Sequence, residues 1–380
     1  MADETAEDRV YRGLKGVYFD RSPATYIDGK AGELRYYGYS IHDLAEQSSF
    51  EETGYLLLHG ELPAADQLKA FDQELKGARR LPGEVVDIIT AIQHAHPMDV
   101  LRTGVSALAA FDPDREDDSP EAVLRKGIRL TSQVPMIVAA HHRLRSGLEP
   151  VAADNDLSHA ANFLYMIQGE RPSDEAAKLM DLDFILHAEH GSNASSFTAR
   201  VVAGTDADLH AAVTAAVGAL SGPAHGGAAE NVMTMAREIG DPANAKDYVK
   251  AKRKNREAIM GFGHRVYRAE DPRARHLRDG VERLSIEKGE PRWNQILTAL
   301  VDAMKPYSRL GVNVNVDFYS GVIYHLHGIP QDLFVPIFAV GRVPGWTLQV
   351  LQQMESNILI RPLLKYNGDD LRSYVHIDER

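Results

Sequence analysis

Cysteine is absent from this chain of 380 residues, which removes disulfide frameworks, thiol nucleophiles and cysteine-ligated metals in one step. Its absence fits a cytoplasmic setting. Basic charge is in deficit, with 42 Lys and Arg against 54 Asp and Glu and a net charge of -12. That excess favours solubility and does not draw the chain to nucleic acid or an anionic membrane, so an anionic substrate would need local arginines. No apolar run approaches a membrane-spanning length. The start, Met1-Ala-Asp-Glu-Thr-Ala-Glu-Asp8, lacks the basic-then-apolar order of a signal peptide. Fixed-period repeats and low-complexity tracts are missing as well, although Asp112 to Glu121 reads as an acidic, proline-punctuated loop.

What is present is an apolar fraction of 44%, enough for one large core or two unequal ones. Strand signals occur near the N-terminus alone. There Thr25-Tyr26-Ile27 and Leu34-Arg35-Tyr36-Tyr37 flank a turn at Asp28-Gly29 and predict a small β-hairpin. From Ser49 onward the pattern is helical. Ser49 with Glu52 reads as a capping box, and Gly60 to Pro63 as a stop. Leu209, Ala212, Val213, Ala216, Val217 and Leu220 keep helical spacing between Asp208 and Ser221-Gly222-Pro223. Trp293, Ile296, Leu297, Leu300, Val301 and Met304 form a second stripe, ended by Lys305-Pro306. Asp271-Pro272 predicts an N-cap followed by proline at the first helical position. The class is all-α. The Gly222-Pro223 break and the loop from Asn313 to Asp317 bracket a stretch that predicts a second, smaller domain.

Four segments place polar chemistry at breaks between helices, where side chains face clefts. In His187-Ala-Glu-His190 two histidines stand three apart, but the usual metal-binding spacing is missing. His187, on an apolar stripe, reads as a buried histidine satisfied by backbone, and His190 as the anion-binding candidate. Ser221-Gly-Pro-Ala-His225-Gly226-Gly227 aims one histidine from a glycine-rich break at a helix start. A neutral imidazole there donates a hydrogen bond to oxygen as charge develops; the other reading is a simple hinge. Gly261-Phe262-Gly263-His264-Arg265 reads as a ligand loop or a tight turn. It is not a dinucleotide fingerprint, because the third glycine and the preceding strand are missing. Asp317, at a helix opening, reads as a cap or as a carboxylate base whose proton affinity is set by its surroundings. Arg342 and Arg361 follow apolar stretches and predict carboxylate partners, internal or on a ligand.

Taken in order, Leu57-Leu-His-Gly60-Glu-Leu-Pro63, Ser158-His-Ala-Ala-Asn-Phe-Leu-Tyr165, His187-Ala-Glu-His190, Gly222-Pro-Ala-His225-Gly-Gly227, Gly261-Phe-Gly-His264-Arg-Val-Tyr267, Asp271-Pro-Arg273 and Asn315-Val-Asp317 resemble the citrate synthase family over almost the whole chain. The resemblance implies a large domain from 1–227 and 322–380 and a small domain from 228–321. It implies that Asp317 deprotonates acetyl-CoA, that His225 stabilises the enol or enolate, and that His264 activates the oxaloacetate carbonyl. His190, Arg273, Arg342 and Arg361 would hold the oxaloacetate carboxylates, with Arg361 reaching into the site of the other protomer of a homodimer. Gly261, Phe262, Gly263, Arg265 and Arg309 are the candidates for CoA contacts. No metal and no cofactor are implied, acetyl-CoA being a cosubstrate. No additional N-terminal domain marks the nicotinamide-regulated hexameric branch, so a dimer without that control is expected.

Two departures from the family pattern stand out, Ala229 in place of a frequent asparagine and Pro344 between Arg342 and Gly345. Neither removes a catalytic group. Propionyl-CoA, as in 2-methylcitrate synthases, is the nearest alternative substrate, since one methylene discriminates weakly. A non-catalytic CoA-binding helical protein and a metal-binding protein, the latter prompted by His187/His190, His141-His142 and His325-x-His327, are the readings from other classes.

Overall fold

Alternation around Ile27 and Leu34 closes into a sheet with one strand more than the predicted hairpin. The computed structural model describes residues 10–380; the acidic start Met1 to Asp8 lies outside the described residues. Strand β1 (Thr25–Asp28) pairs antiparallel with β2 (Glu33–Tyr36), Thr25 opposite Tyr36, and β3 (Tyr39–Ser40) pairs with β2. The Asp28 carboxylate accepts from the N–H groups of Lys30 and Ala31 at 2.8 and 2.9 Å and so closes the turn.

Sixteen α-helices follow among the described residues. They are α1 (Ile41–Gln47), α2 (Phe50–His59), α3 (Ala65–Gly77), α4 (Gly83–Ala91), α5 (Pro97–Leu108), α6 (Pro120–Arg145), α7 (His159–Gln168) and α8 (Asp174–His187). Then come α9 (Ala194–Ala203), α10 (Leu209–Leu220), α11 (Ala228–Ile239), α12 (Ala245–Lys254), α13 (Ala274–Glu287), α14 (Arg292–Met304), α15 (Asp317–Leu326) and α16 (Phe334–Glu355). Their starts are chemically marked. Ser49, Ser119, Ser158, Ser173, Asn193 and Asp208 each accept a first-turn N–H with the side chain. Helix α10 has the predicted bounds. Helix α14 ends at Met304 as predicted, with a 3-10 turn over Lys305–Leu310 beyond it.

One capping expectation is corrected. Asp271 is not the N-cap of α13, which starts at Ala274 behind Arg273. Its carboxylate instead accepts from Arg273 N at 3.1 Å, Nε at 3.0 Å and Nη2 at 2.8 Å. A buried guanidinium two residues away is a stronger claimant than a helix end.

Helix α16 is the axis of the core, packed against α2, α6, α8, α9 and α10. With the 3-10 turn ahead of it, the segment Gln331–Glu355 is 25 residues long with a mean hydropathy of 1.3 in its most apolar window, long and apolar enough to cross a membrane by length and composition. That corrects the expectation that no such segment exists. The window is 94% buried inside the protein, so its apolar character is that of a core helix.

Helices α11, α13 and α14 pack on α15, and α13 also rests on α8. The loop between α12 and α13 is braced from the sheet: Arg268 N–H donates to Gly29 O at 2.7 Å. A Cβ at Gly29 would stand 2.3 Å from Val266 O, so glycine is required for that approach. Beyond Ser356 the chain runs as an extended arm that exposes Leu363, Leu364, Tyr366 and Leu371.

Candidate active site

Three loops and the starts of two helices converge on one cluster. The break between α10 and α11 carries His225. The Ser195 N–H, at the first turn of α9, donates to His225 Nε2 at 3.3 Å. A backbone N–H can only donate, so Nε2 is the acceptor and the ring proton sits on Nδ1. Ser195 Oγ lies 2.9 Å from the same nitrogen and is braced by Trp346 Nε1 at 3.1 Å and Asn193 Oδ1 at 2.8 Å. Burial, reinforced by the Arg342 charge, pushes the His225 pKa down to about 4. The ring is therefore a neutral donor at neutral pH.

His264 repeats that logic with the opposite nitrogen. Its Nδ1 accepts from the N–H groups of Val266 and Tyr267 at 3.0 and 3.1 Å, which leaves the proton on Nε2. Burial first, then Arg273, pushes its pKa to about 4. His190 stands against it, ring centroids 5.3 Å apart, and His190 Nε2 is 3.0 Å from the Tyr267 hydroxyl. Burial and the Arg273 charge hold His190 well below the ordinary histidine range.

Two guanidinium groups face these rings. Burial would lower the pKa of Arg273, but the fork it makes with Asp271 raises it above the ordinary value. Arg342, 1% exposed, donates through Nε to His187 O and lies over the Phe338 ring, 4.6 Å from its centroid. Its Nη1 is buried with no partner. Burial pulls Arg342 down to about 10 against the opposing pull of Glu189. Glu189 is itself buried and raised to about 7 by desolvation, although Arg342 lowers it. An unpaired N–H on a buried cation is costly unless a ligand oxygen meets it.

Asp317 opens α15 in its first turn and makes no capping bond there, so the capping reading falls away. Burial raises its pKa, while His187 and Arg273 act in the opposite direction. The His264 loop is zipped to the segment just ahead of Asp317. Gly263 N–H donates to Asn313 O at 2.7 Å, and Asn315 N–H to Gly261 O at 2.9 Å. Gly261 has φ +75°, and a Cβ there would come within 2.6 Å of Phe318. The Phe262 ring packs on Phe318 at 4.9 Å.

His190, His225, His264, Arg273, Arg342 and Asp317 are thus linked through the two cations: Arg342 bears on His190, His225 and Asp317, and Arg273 on His190, His264 and Asp317. Gly261, Phe262 and Gly263 form the loop wall beside Asp317. Arg265 and Arg309 are exposed outside it, and Arg361 lies on the exposed arm. His187 is buried as the sequence predicts, its Nδ1 2.9 Å from Asp183 O. Among the described residues no three His, Asp or Glu side chains are grouped to hold a metal ion. His141 Nε2 meets Gln93 O at 2.9 Å, and His325 packs edge-on against Trp293. An open cleft of 740 Å³ between α2, α3 and α6 contains none of the cluster residues.

Ala229 packs beneath Gly321, where a Cβ would stand 2.4 Å from Ala229 O. His225 takes its support from Ser195, and Pro344 sits inside an unbroken α16. Ser195, Asp183 and Glu189 were not singled out from the sequence. Glu189 lies between two histidines that were, and Asp183 lies one helical turn before His187, which is the signal that would have found it.

Chemically, the cluster offers two neutral N–H donors, a carboxylate of raised proton affinity and two buried cations. Such a set is chemically able to bind a small dicarboxylate, polarise two carbonyl oxygens and remove a proton from carbon beside a carbonyl.

The family model described as "Citrate synthase, C-terminal domain" matches residues 13–363. Citrate synthase 2 of Bacillus subtilis (strain 168) is 45% identical over 371 residues, covering 97% of this chain and 99% of the relative. 2-Methylcitrate synthase 2 of Corynebacterium glutamicum is 40% identical over 386 residues, covering 100% of both chains. The solved ternary complex of carboxymethyl coenzyme A and oxaloacetate with citrate synthase from Thermoplasma acidophilum superposes with a TM-score of 0.92 at 31% identity, covering 98% of this chain and 100% of that one. By the length of that family match and by these full-length likenesses, the chain belongs to the citrate synthase family.

Proposed function

We propose that the protein condenses acetyl-CoA with oxaloacetate and water to give citrate and CoA, the entry step of the tricarboxylic acid cycle. The observation that carries this reading is the pair of neutral imidazoles with opposite tautomers, His225 and His264, set with Asp317 and two buried arginines. The solved relative that holds oxaloacetate and a CoA analogue supports the substrates.

Asp317 takes a methyl proton from the thioester, and His225 Nδ1–H stabilises the oxygen as the enol or enolate forms. The new carbanion equivalent attacks the ketone carbon of oxaloacetate, whose oxygen is met by His264 Nε2–H. His190, Arg273, Arg342 and Arg361 of the partner subunit hold the two carboxylates. Water then cleaves the citryl thioester, releasing citrate and the CoA thiol. Gly261, Phe262, Gly263, Arg265 and Arg309 line the path for CoA, and closing of a small domain over 228–321 excludes water from the first step. Neither a metal nor a further cofactor has a role in these steps. The exposed apolar side chains of the C-terminal arm support a homodimer in which the arm lies on the other protomer. The composition and the bacterial relatives support a cytoplasmic enzyme.

The second reading, condensation of propionyl-CoA, is favoured by the full-length likeness to a 2-methylcitrate synthase. Thiol release with oxaloacetate and either thioester separates them. Higher kcat/KM for acetyl-CoA establishes the first reading, higher kcat/KM for propionyl-CoA the second, and no oxaloacetate-dependent release from folded protein overturns both.

A further inference from the structure

Behind Asp317 lies a second buried carboxylate that these steps do not use. Asp183, on α8, is 1% exposed. One oxygen accepts from Ser320 Oγ at 2.6 Å, and the other accepts from the Tyr324 hydroxyl at 2.6 Å. The latter oxygen also lies 3.4 Å from His187 Nδ1. Burial alone would raise Asp183, but His187 and the two hydroxyls hold it below the ordinary carboxylate range. It is an anion at neutral pH.

Ser320 and Tyr324 follow Asp317 by three and seven residues and share its face of α15. Short O–H···O⁻ bonds are among the strongest that side chains make. Two of them therefore pin the first two turns of α15 to α8. Helix α8 ends at His187 and leads directly into Glu189 and His190. The helix that carries the proposed base is thus tied to the segment that carries a proposed oxaloacetate ligand.

We propose that Asp183 is a positioning residue for the condensation, setting the height and rotation of α15 so that the Asp317 carboxylate meets the methyl group of the thioester. This rests on the reading of Asp317 as the base. The charge of Asp183 acts in the same direction. The groups that bear on Asp317 are His187 and Asp183 from α8, Asp271 and Arg273 from the loop before α13, Arg342 from α16 and Tyr324 on its own helix. Asp183 and Asp271 raise its proton affinity, whereas His187 and Arg273 lower it. Loss of the Asp183 charge would leave Asp317 a weaker base and move its titration to lower pH.

The test compares Asp183→Asn, Tyr324→Phe and Asp317→Asn by thiol release across pH, with thermal melts as the check on folding. Asp183→Asn is expected to lose about tenfold to a hundredfold in kcat, the scale of a small misplacement of a reacting group. Its KM for oxaloacetate should stay near wild type, and the acid limb of kcat should move to lower pH. Tyr324→Phe keeps the charge and loosens one anchor, so kcat should fall less and the limb should not move down. Wild-type kcat and an unmoved acid limb in folded Asp183→Asn overturn the proposal, as does a loss of oxaloacetate affinity equal to the loss of kcat. Should Asp183→Asn fail to fold, wild-type kcat in both Tyr324→Phe and Ser320→Ala overturns it instead. Full activity in Asp317→Asn would overturn the base reading and this inference with it. An inactive Asp317→Asn beside a wild-type-like Asp183→Asn overturns this inference alone.

Discussion

Replacing Arg342 with methionine removes a buried cation while filling most of its volume. In the free protein the loss is small. One charge-assisted donor to His187 O disappears, a change worth about 1.5–3 kcal/mol, and the contact with the Phe338 ring is retained in part by the thioether. Against this, an Arg Nη1 with no partner is no longer buried, and replacing a poorly paired buried charge by an apolar side chain is often neutral or stabilising. Glu189, already raised to about 7, rises further once the Arg342 charge that lowers it is gone. The two effects nearly cancel, so the melting temperature without ligand should change little. Oxaloacetate tells a different story. A charge-assisted hydrogen bond contributes about 1.5–3 kcal/mol, and a two-bonded fork on a carboxylate about 3–6 kcal/mol. That corresponds to a fall of roughly 10²–10⁴ in kcat/KM for oxaloacetate. The thermal shift that saturating oxaloacetate gives the wild type, about 2.7 kcal/mol at a hundredfold excess over Kd, should vanish at the same concentration. The reasoning is refuted if Arg342→Met keeps kcat/KM within about threefold of wild type. It is also refuted if the ligand-free melt drops sharply while the oxaloacetate shift survives, because the cation would then be holding the fold.

Three buried features make further predictions. His159 and His327 are both pushed to about 3 by burial, so each takes up a proton on unfolding below the unfolded value near 6.5. Their folded pKa is depressed, which means stability is lost as pH falls between about 6.5 and 3, at about 1.4 kcal/mol per pH unit for each histidine; urea midpoints measured at pH 7.5 and pH 5 should fall accordingly, and equal midpoints contradict it. Gly261→Ala places a Cβ 2.6 Å from Phe318 at φ +75°, a strain and overpacking cost of about 2–4 kcal/mol. Its melt should fall together with kcat, since Phe318 adjoins Asp317, and a wild-type melt would show that the loop is not confined.

Much of the fold could be read because its punctuation is local. Asp208 and Ser221-Gly222-Pro223 bound α10 by chemistry that needs no neighbour, and the helix has those bounds. The third strand, Tyr39–Ser40, is two residues long and exists through pairing with Arg35 and Tyr36, which period-2 alternation cannot register. Asp271-Pro272 has the form of a cap. The nearby Arg273 guanidinium takes the carboxylate instead, and that competition arises when both are buried together. Asp317 shows the reverse: capping was the ordinary expectation, and the carboxylate makes no cap.

The histidines of the cluster were legible from their place at helix breaks, but their tautomers were not. These depend on Ser195 reaching His225 from thirty residues away in sequence, and on the turn by which Val266 and Tyr267 point their N–H groups back at His264. Asp183 inside α8 and Glu189 just beyond its end both read as solvated charge in the sequence, and their importance comes from burial against α15 and α16.

The proposed condensation depends most directly on Asp317 as the base. Thiol release from acetyl-CoA should be measured for wild type and Asp317→Asn at saturating oxaloacetate, with the oxaloacetate-induced thermal shift recorded on the same samples. The predicted result is a kcat lower by roughly 10²–10⁴, the usual contribution of a general base, with the thermal shift preserved. Turnover by Asp317→Asn within a few-fold of wild type would contradict it.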